Sequence, residues 1–96
     1  MIPGITTKLS EDTVASTTTI TVKADLIRLT GTTAIATINP NFGGGFSGVC
    51  FFVPVDGTIA TTTAGNINKV LSMVINQVTV MVYSKKDQKW YPGAIS

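Results

Sequence analysis

The chain has 96 residues, of which 44% are apolar and only 12% are charged, and its formal net charge is +2. A chain of this length forms a single domain, and so mild a charge argues against a nucleic-acid partner, which usually requires a clustered basic face. Low charge also promotes association, so we expect copies of the chain to bind one another.

The first 17 residues carry few large apolar side chains, and we interpret them as an N-terminal arm preceding a β domain over residues 18–96. A segment this polar cannot form a core by itself. Its apolar residues Ile2, Ile5 and Leu9 are the candidates for contact with a partner surface. The arm is expected either to fray or to lie along a neighbouring surface.

Strand patterns begin at Thr18. Apolar and polar side chains alternate over residues 18–24, which predicts a half-buried strand. The phase of the alternation changes at Asp25, and the next apolar run ends at Gly31, where a turn or bulge is expected. Residues 33–38 resume a β-branched pattern that ends at a turn signal, Asn39-Pro40.

A glycine-rich loop follows, and its spacing Gly43-x-Gly45-x-x-Gly48 matches the dinucleotide-binding fingerprint. That fingerprint requires a helix after the last glycine, whereas an apolar, strand-like run follows here. An acidic residue about 20 positions further on, which would bind the ribose, is also missing. Nucleotide binding is therefore not expected, and Phe42 and Phe46 are predicted to hold the loop against the core or a neighbouring subunit.

Residues 49–55 form a continuous apolar run that includes Phe51 and Phe52. Such a run predicts a strand covered on both faces, either by the core and a neighbouring subunit or by two layers of one domain. The phenylalanines are candidates for core or subunit packing. Asp56-Gly57 then predicts a tight turn.

The C-terminal third begins with an ambiguous segment. The apolar spacing over residues 67–74 fits a helix face, while its β-branched residues favour a strand or an irregular segment, and both alternatives remain open. Alternation over residues 78–83 predicts a strand, 84–88 a polar turn, and 89–92 a closing strand. In this last strand Trp90 and Tyr91 are candidates for core or subunit packing.

The chain contains few groups that could catalyse a reaction. Without histidine it has no Ser-His-Asp triad, no Cys-His pair and no helical histidine zinc site. Its only cysteine, Cys50, lies in an apolar run and is expected to be a small buried side chain. We therefore expect no enzyme activity, no cofactor and no metal, and the apolar runs are too short or too polar to cross a membrane.

Four segments occur in an order that resembles small structural proteins of tailed bacteriophage virions. They are TGTTAIATI at residues 30–38, GFSG at 45–48, TTTAGNI at 61–67 and KWYP at 89–92. The resemblance spans Thr30 to Pro92 and includes head decoration or cement proteins and the end domains of fibre-like proteins. The chain departs from the pattern at Ser84–Gln88, where SKKDQ replaces a shorter turn.

This resemblance implies an all-β fold, expected as a compact antiparallel β-sandwich or jelly-roll-like barrel with an extended arm, assembling as a homotrimer. The leading hypothesis is a capsid decoration protein, assembled in the host cytoplasm, that binds the major capsid protein on the outer surface of the virion. Its arm, through Ile2, Ile5 and Leu9, would reach across seams between shell subunits. The alternative is a tail-fibre tip that binds a host surface glycan on a platform formed by Trp90 and Tyr91.

Overall fold

The computed structural model describes residues 8–40 and 45–93, and within these ranges it contains nine strands and no helix. The all-β class is therefore confirmed. The strands, numbered in chain order, are β1 Glu11–Ala15, β2 Thr19–Thr21, β3 Leu26–Thr30, β4 Thr37–Asn39, β5 Gly48–Pro54, β6 Ile59–Ala60, β7 Ser72–Met73, β8 Thr79–Ser84 and β9 Lys89–Gly93.

Five strands form the main sheet in the order β1-β3-β5-β8-β9. The pairs β5–β8 and β8–β9 are antiparallel, as predicted for the whole fold, whereas β1–β3 and β3–β5 are parallel. Two short sheets, β2–β4 (parallel) and β6–β7 (antiparallel), complete the described architecture. The expected antiparallel pairing therefore holds in the second half of the chain, whereas the pairs of the first half are parallel.

The parallel pairs have a physical reason in the path of the chain. Parallel neighbours require a crossover connection, because a tight turn can join only antiparallel strands. Here the crossover from β1 to β3 contains β2, and the crossover from β3 to β5 contains β4. Since β2 and β4 pair with each other, the chain alternates between two sheets as it advances.

The core contains apolar side chains from all three sheets. Its buried side chains form one cluster: Ile20, Val22, Ala24, Ile27, Leu29, Ile35, Ile38, Cys50, Phe52, Ile59, Ile67, Met73, Met81, Tyr83 and Trp90. Trp90 is the largest fully buried side chain, and its ring meets Phe52 edge-on at a centroid distance of 6.3 Å. This multi-sheet packing agrees with a sandwich-like, compact domain.

Alternation correctly predicted the buried face of the first run, in which Ile20, Val22 and Ala24 are buried. After the phase change at Asp25 the buried residues are Ile27 and Leu29. For the continuous apolar run of β5, the alternative of two covering layers within one domain is wrong, and cover by the core and a neighbouring subunit stays a prediction. Its residues Cys50, Phe52 and Pro54 are buried, while Val49, Phe51 and Val53 on the other face are exposed or only half-buried. Within this chain β5 is therefore covered on one face only.

The ambiguous segment after Gly65 contains no helix. Ile67 forms an isolated parallel bridge with Trp90, and Ser72–Met73 pairs with β6. The strand or irregular alternative is the one that the structure contains. Partners outside the segment decide this, because Ile67 and Met73 are buried and paired with distant strands, whereas Val70 is 64% exposed.

The predicted arm is described only from Lys8 onward, so Ile2 and Ile5 lie outside the described residues. Within the range assigned to the arm, β1 forms the edge of the main sheet, and Val14 packs against the core cluster. Residues 11–15 thus belong to the folded domain. An extended arm stays a prediction for the residues that precede Ser10.

Candidate functional site

The main sheet has an apolar surface on the side opposite the core, which we call the outer face. Its members alternate with buried residues along four strands: Leu26, Val49, Phe51, Val53, Val80, Val82 and Tyr91. In the sheet register Val49 lies opposite Val82, and Val82 lies opposite Tyr91. These three side chains form a row with 44%, 44% and 39% of their surface exposed.

An ion pair borders the outer face at its β1 side. The guanidinium of Arg28 lies 4.0 Å from the carboxylate of Glu11, and both side chains are about half exposed. A solvated pair of this kind contributes little to stability. The pair joins β1 to β3, whereas the apolar row of Val49, Val82 and Tyr91 lies on β5, β8 and β9.

The opposite border is the β8–β9 hairpin, whose turn carries three exposed lysines, Lys85, Lys86 and Lys89. Gln88 adopts a left-handed conformation with a φ of 56°, and its N–H donates to the Ser84 carbonyl at 2.7 Å. These two features close the turn. The Lys85 N–H also donates to Ser47 Oγ at 3.1 Å, which ties the glycine-rich loop to the hairpin.

Tyr91 connects the outer face to the hairpin. Its hydroxyl donates to the Asp87 carboxylate, and this hydrogen bond, with the negative charge beside it, raises the pKa of Tyr91 above its ordinary value. Asp87 is thereby engaged within the turn. The three exposed lysines outnumber this one acid, so the net charge of the hairpin is positive.

The predicted packing residues separate into two groups. Phe52 and Trp90 are fully buried in the core, with the Trp90 ring also 5.2 Å from that of Tyr83. Phe51 is half-buried on the outer face, and Tyr91 is exposed on the same face two strands away. The paired Trp90 and Tyr91 platform is therefore wrong, because neighbouring residues of a strand point to opposite faces.

Phe46 is 68% exposed, so it does not pack into the core of this chain, and only its contact with a neighbouring subunit stays a prediction. Phe42 lies outside the described residues. Leu9, the described member of the predicted arm contacts, is 43% exposed. The structure therefore brings Phe46, the apolar row and the lysines to one region of the surface. Leu9 lies just before β1, which forms the opposite edge of the main sheet.

Cys50 lies on the core side of β5, opposite the outer face. Burial raises the pKa of the Cys50 thiol to about 12, so it stays protonated at neutral pH and is a poor nucleophile. Among residues 8–40 and 45–93 there is no group of three histidine, cysteine or acidic side chains that could hold a metal ion. The part of the chain that the structure describes also contains no helix long and apolar enough to span a membrane.

The chain matches no protein-family model, no curated protein and no solved structure.

Sequence reasoning missed Val49 and Val82 as surface residues. Both faces of β5 and β8 are apolar, so alternation alone could not decide which set of side chains faces the core. Side-chain size was the available signal. On β8 the buried residues Met81 and Tyr83 are larger than Val80 and Val82 on the outer face.

Proposed function

We propose that this chain is a bacteriophage capsid decoration protein that binds the outer surface of the shell as a homotrimer and stabilises it. The apolar outer face carries the proposal. It spans adjacent strands of the main sheet, and its members in the described part of the chain are exposed or half-buried. Large exposed apolar surfaces of this kind mark protein interaction sites.

The fold suits a role in contact rather than in chemistry. The chain is compact, with a Cα radius of gyration of 12.9 Å, and its core is continuous across the sheets. A protein that binds only the assembled lattice stabilises that lattice by mass action, without any reaction. The order of the TGTTAIATI, GFSG, TTTAGNI and KWYP segments supports a virion protein as the setting.

The experiment combines mass measurement with a shell-binding assay. We expect a trimer mass in solution, and co-sedimentation with shells assembled from the major capsid protein of the same genome. Occupied shells should also break at a higher temperature than bare shells. A monomer that never sediments with the shells contradicts the proposal.

The role of the arm is tested separately by deleting residues 1–8 and replacing Leu9 with alanine. The deletion stops before Ser10 because its carbonyl accepts hydrogen bonds from the Asp25 and Leu26 N–H groups at 3.2 and 2.9 Å. We expect this variant to keep the trimer mass and lose shell binding. Unchanged shell occupancy would assign attachment to another surface.

A second candidate is a fibre-tip domain that binds a host surface glycan. The exposure of Tyr91 and Phe46 favours it, because sugar rings pack against exposed aromatic side chains. Replacing Tyr91 with alanine should then abolish binding to host cells, and the wild-type protein should not sediment with shells. Loss of shell binding alone would favour the decoration role.

A further inference from the structure

The charge of this chain is concentrated in one hairpin. Outside residues 84–89, four basic side chains balance four acidic ones: Lys8, Lys23, Arg28 and Lys69 against Glu11, Asp12, Asp25 and Asp56. The hairpin contains three lysines and a single acid, Asp87, so it accounts for the whole formal net charge of +2. The neutral remainder of the chain makes this end the electrostatically distinct part of the surface.

The lysines lie beside exposed apolar side chains. The Ser47 Oγ bond to the Lys85 N–H places Phe46, the most exposed of the large apolar side chains described, next to the hairpin. Val82 and Tyr91 belong to the two strands that the hairpin joins, and they are opposite each other in the sheet. We call the set formed by Phe46, Val82, Tyr91 and the three lysines the basic end.

The basic end has a defined backbone. The Gln88 N–H bond to Ser84 closes the turn, and the Ser47 contact ties it to the loop before β5. A solvated turn does not require a second loop bonded to it or an exposed phenylalanine beside it. Charge at the border of an apolar row is the usual arrangement at protein interfaces, where an apolar centre has a polar rim.

We propose that the basic end binds an acidic protein surface, with the lysines meeting carboxylates and Phe46, Val82 and Tyr91 forming the apolar contact. The charge complementarity argues for this occupant. A nucleic acid fits less well, because the hairpin has no arginine to form paired bonds with phosphate. If the proposed decoration function holds, on which this assignment of the partner rests, the acidic surface belongs to the shell.

The first test does not depend on shells. A titration of the folded protein with poly-L-glutamate, followed by amide NMR shifts, should perturb residues 46–49 and 82–91 most strongly. Raising the salt from about 50 mM to about 500 mM should reverse the shifts, because salt screens exposed charges. Shifts spread evenly over all six lysines, or tighter binding of a single-stranded oligonucleotide at the same site, would overturn the proposal.

Two matched triple variants sharpen the result. Lys85→Glu, Lys86→Glu and Lys89→Glu together should weaken poly-L-glutamate binding by about tenfold or more. Lys8→Glu, Lys23→Glu and Lys69→Glu change the net charge by the same amount at exposed positions elsewhere, and should weaken it much less. Equal losses would show that net charge alone is responsible and would overturn the assignment of the site.

The shell assay then identifies the partner. The hairpin triple variant and Phe46→Ser should each lose shell binding while keeping the wild-type oligomer mass. A changed oligomer mass of either variant would show that the basic end is a contact between copies of the chain. Unchanged shell binding by the variants would show that the shell is not its partner. Either result overturns the proposal. If the wild-type protein binds no shells yet binds poly-L-glutamate through the hairpin, the decoration function fails and the acidic-surface site stands.

Discussion

The indole N–H of Trp90 donates a hydrogen bond to the main-chain carbonyl of Ile38 at 2.9 Å, joining the last strand of the main sheet to β4 in the second sheet. The two residues are 52 positions apart in the chain, and both are fully buried. The bond satisfies the polar atom of the largest core side chain. It also links the closing strand β9 to the second layer.

Replacing Trp90 with phenylalanine should lower the free energy of unfolding by about 2 kcal/mol, through the lost hydrogen bond and the smaller ring. Urea denaturation followed by circular dichroism measures the change. Tyr91→Phe is the control, since this neighbour is exposed and should leave the midpoint nearly unchanged. Equal midpoints for the two variants would contradict the role of Trp90.

The side-chain amide of Asn66 forms two hydrogen bonds with the main chain of Ile38, as a neighbouring strand would. Its Oδ1 accepts from the Ile38 N–H at 2.8 Å and its Nδ2 donates to the Ile38 carbonyl at 2.7 Å. Asn66→Ala should cost about 1–3 kcal/mol, because it leaves the Ile38 N–H without this acceptor. Thermal denaturation against Asn68→Ala, an exposed position two residues on, checks this; a loss as large in the control would refute it.

Gly65 lies against β4 with no room for a side chain. A Cβ at this position would overlap Thr37 Oγ1 and the Ala36 carbonyl oxygen, and would lie 2.8 Å from the Ala36 carbonyl carbon. Because main-chain atoms cannot move aside cheaply, Gly65→Ala should destabilise the fold by about 3 kcal/mol or more. Gly45→Ala, where a Cβ would meet nothing within 4 Å, should be tolerated, and comparable melting temperatures would exclude the clash.

Two phenylalanines predicted to pack differ in their burial. Phe52 is fully buried and Phe46 is 68% exposed. Phe52→Ala should therefore cost about 3–5 kcal/mol, and Phe46→Ala less than about 0.5 kcal/mol. Chemical denaturation of both variants under conditions that keep the chain monomeric measures this directly, and a large loss for Phe46→Ala would mean that its ring packs within the chain.

The raised pKa of the Cys50 thiol predicts a loss of stability at alkaline pH. Burial raises the thiol pKa from 9.0 to about 12, so the unfolded chain releases the proton first. The free energy of unfolding should be unaffected by this group below about pH 9, and should fall by at most about 1.4 kcal/mol per pH unit between there and about pH 12. Urea denaturation at several pH values should show a shallower decline for Cys50→Ala, and parallel profiles would contradict the shift.

Much of the local structure follows from the sequence. Alternation identified the strand around Ile20 and its buried face, because the two-residue period of a strand is visible in the order of apolar and polar side chains. The closing strand with a buried Trp90 was also predicted as a packed element. The glycine-rich loop was correctly interpreted as a connection between strands. The helix that a dinucleotide site requires after the last glycine is replaced by strand β5.

The candidate surface depended on the tertiary structure. In β5 and β8 both faces are apolar, so only the position of the second sheet decides that Phe52 is buried while Val49 is exposed. The position of Phe46 beside the hairpin likewise depends on a long-range contact, the bond between the Lys85 N–H and Ser47 Oγ, a pair 38 residues apart.

Composition and alternation by themselves determined an all-β chain with little charge and no catalytic histidine. The parallel pairing of β1, β3 and β5, the bond between Trp90 and Ile38, and the apolar face left outside the core were decided only in the folded chain. The physical reason is that a strand's period specifies which side chains share a face, whereas its neighbours and the face that is covered depend on long-range contacts.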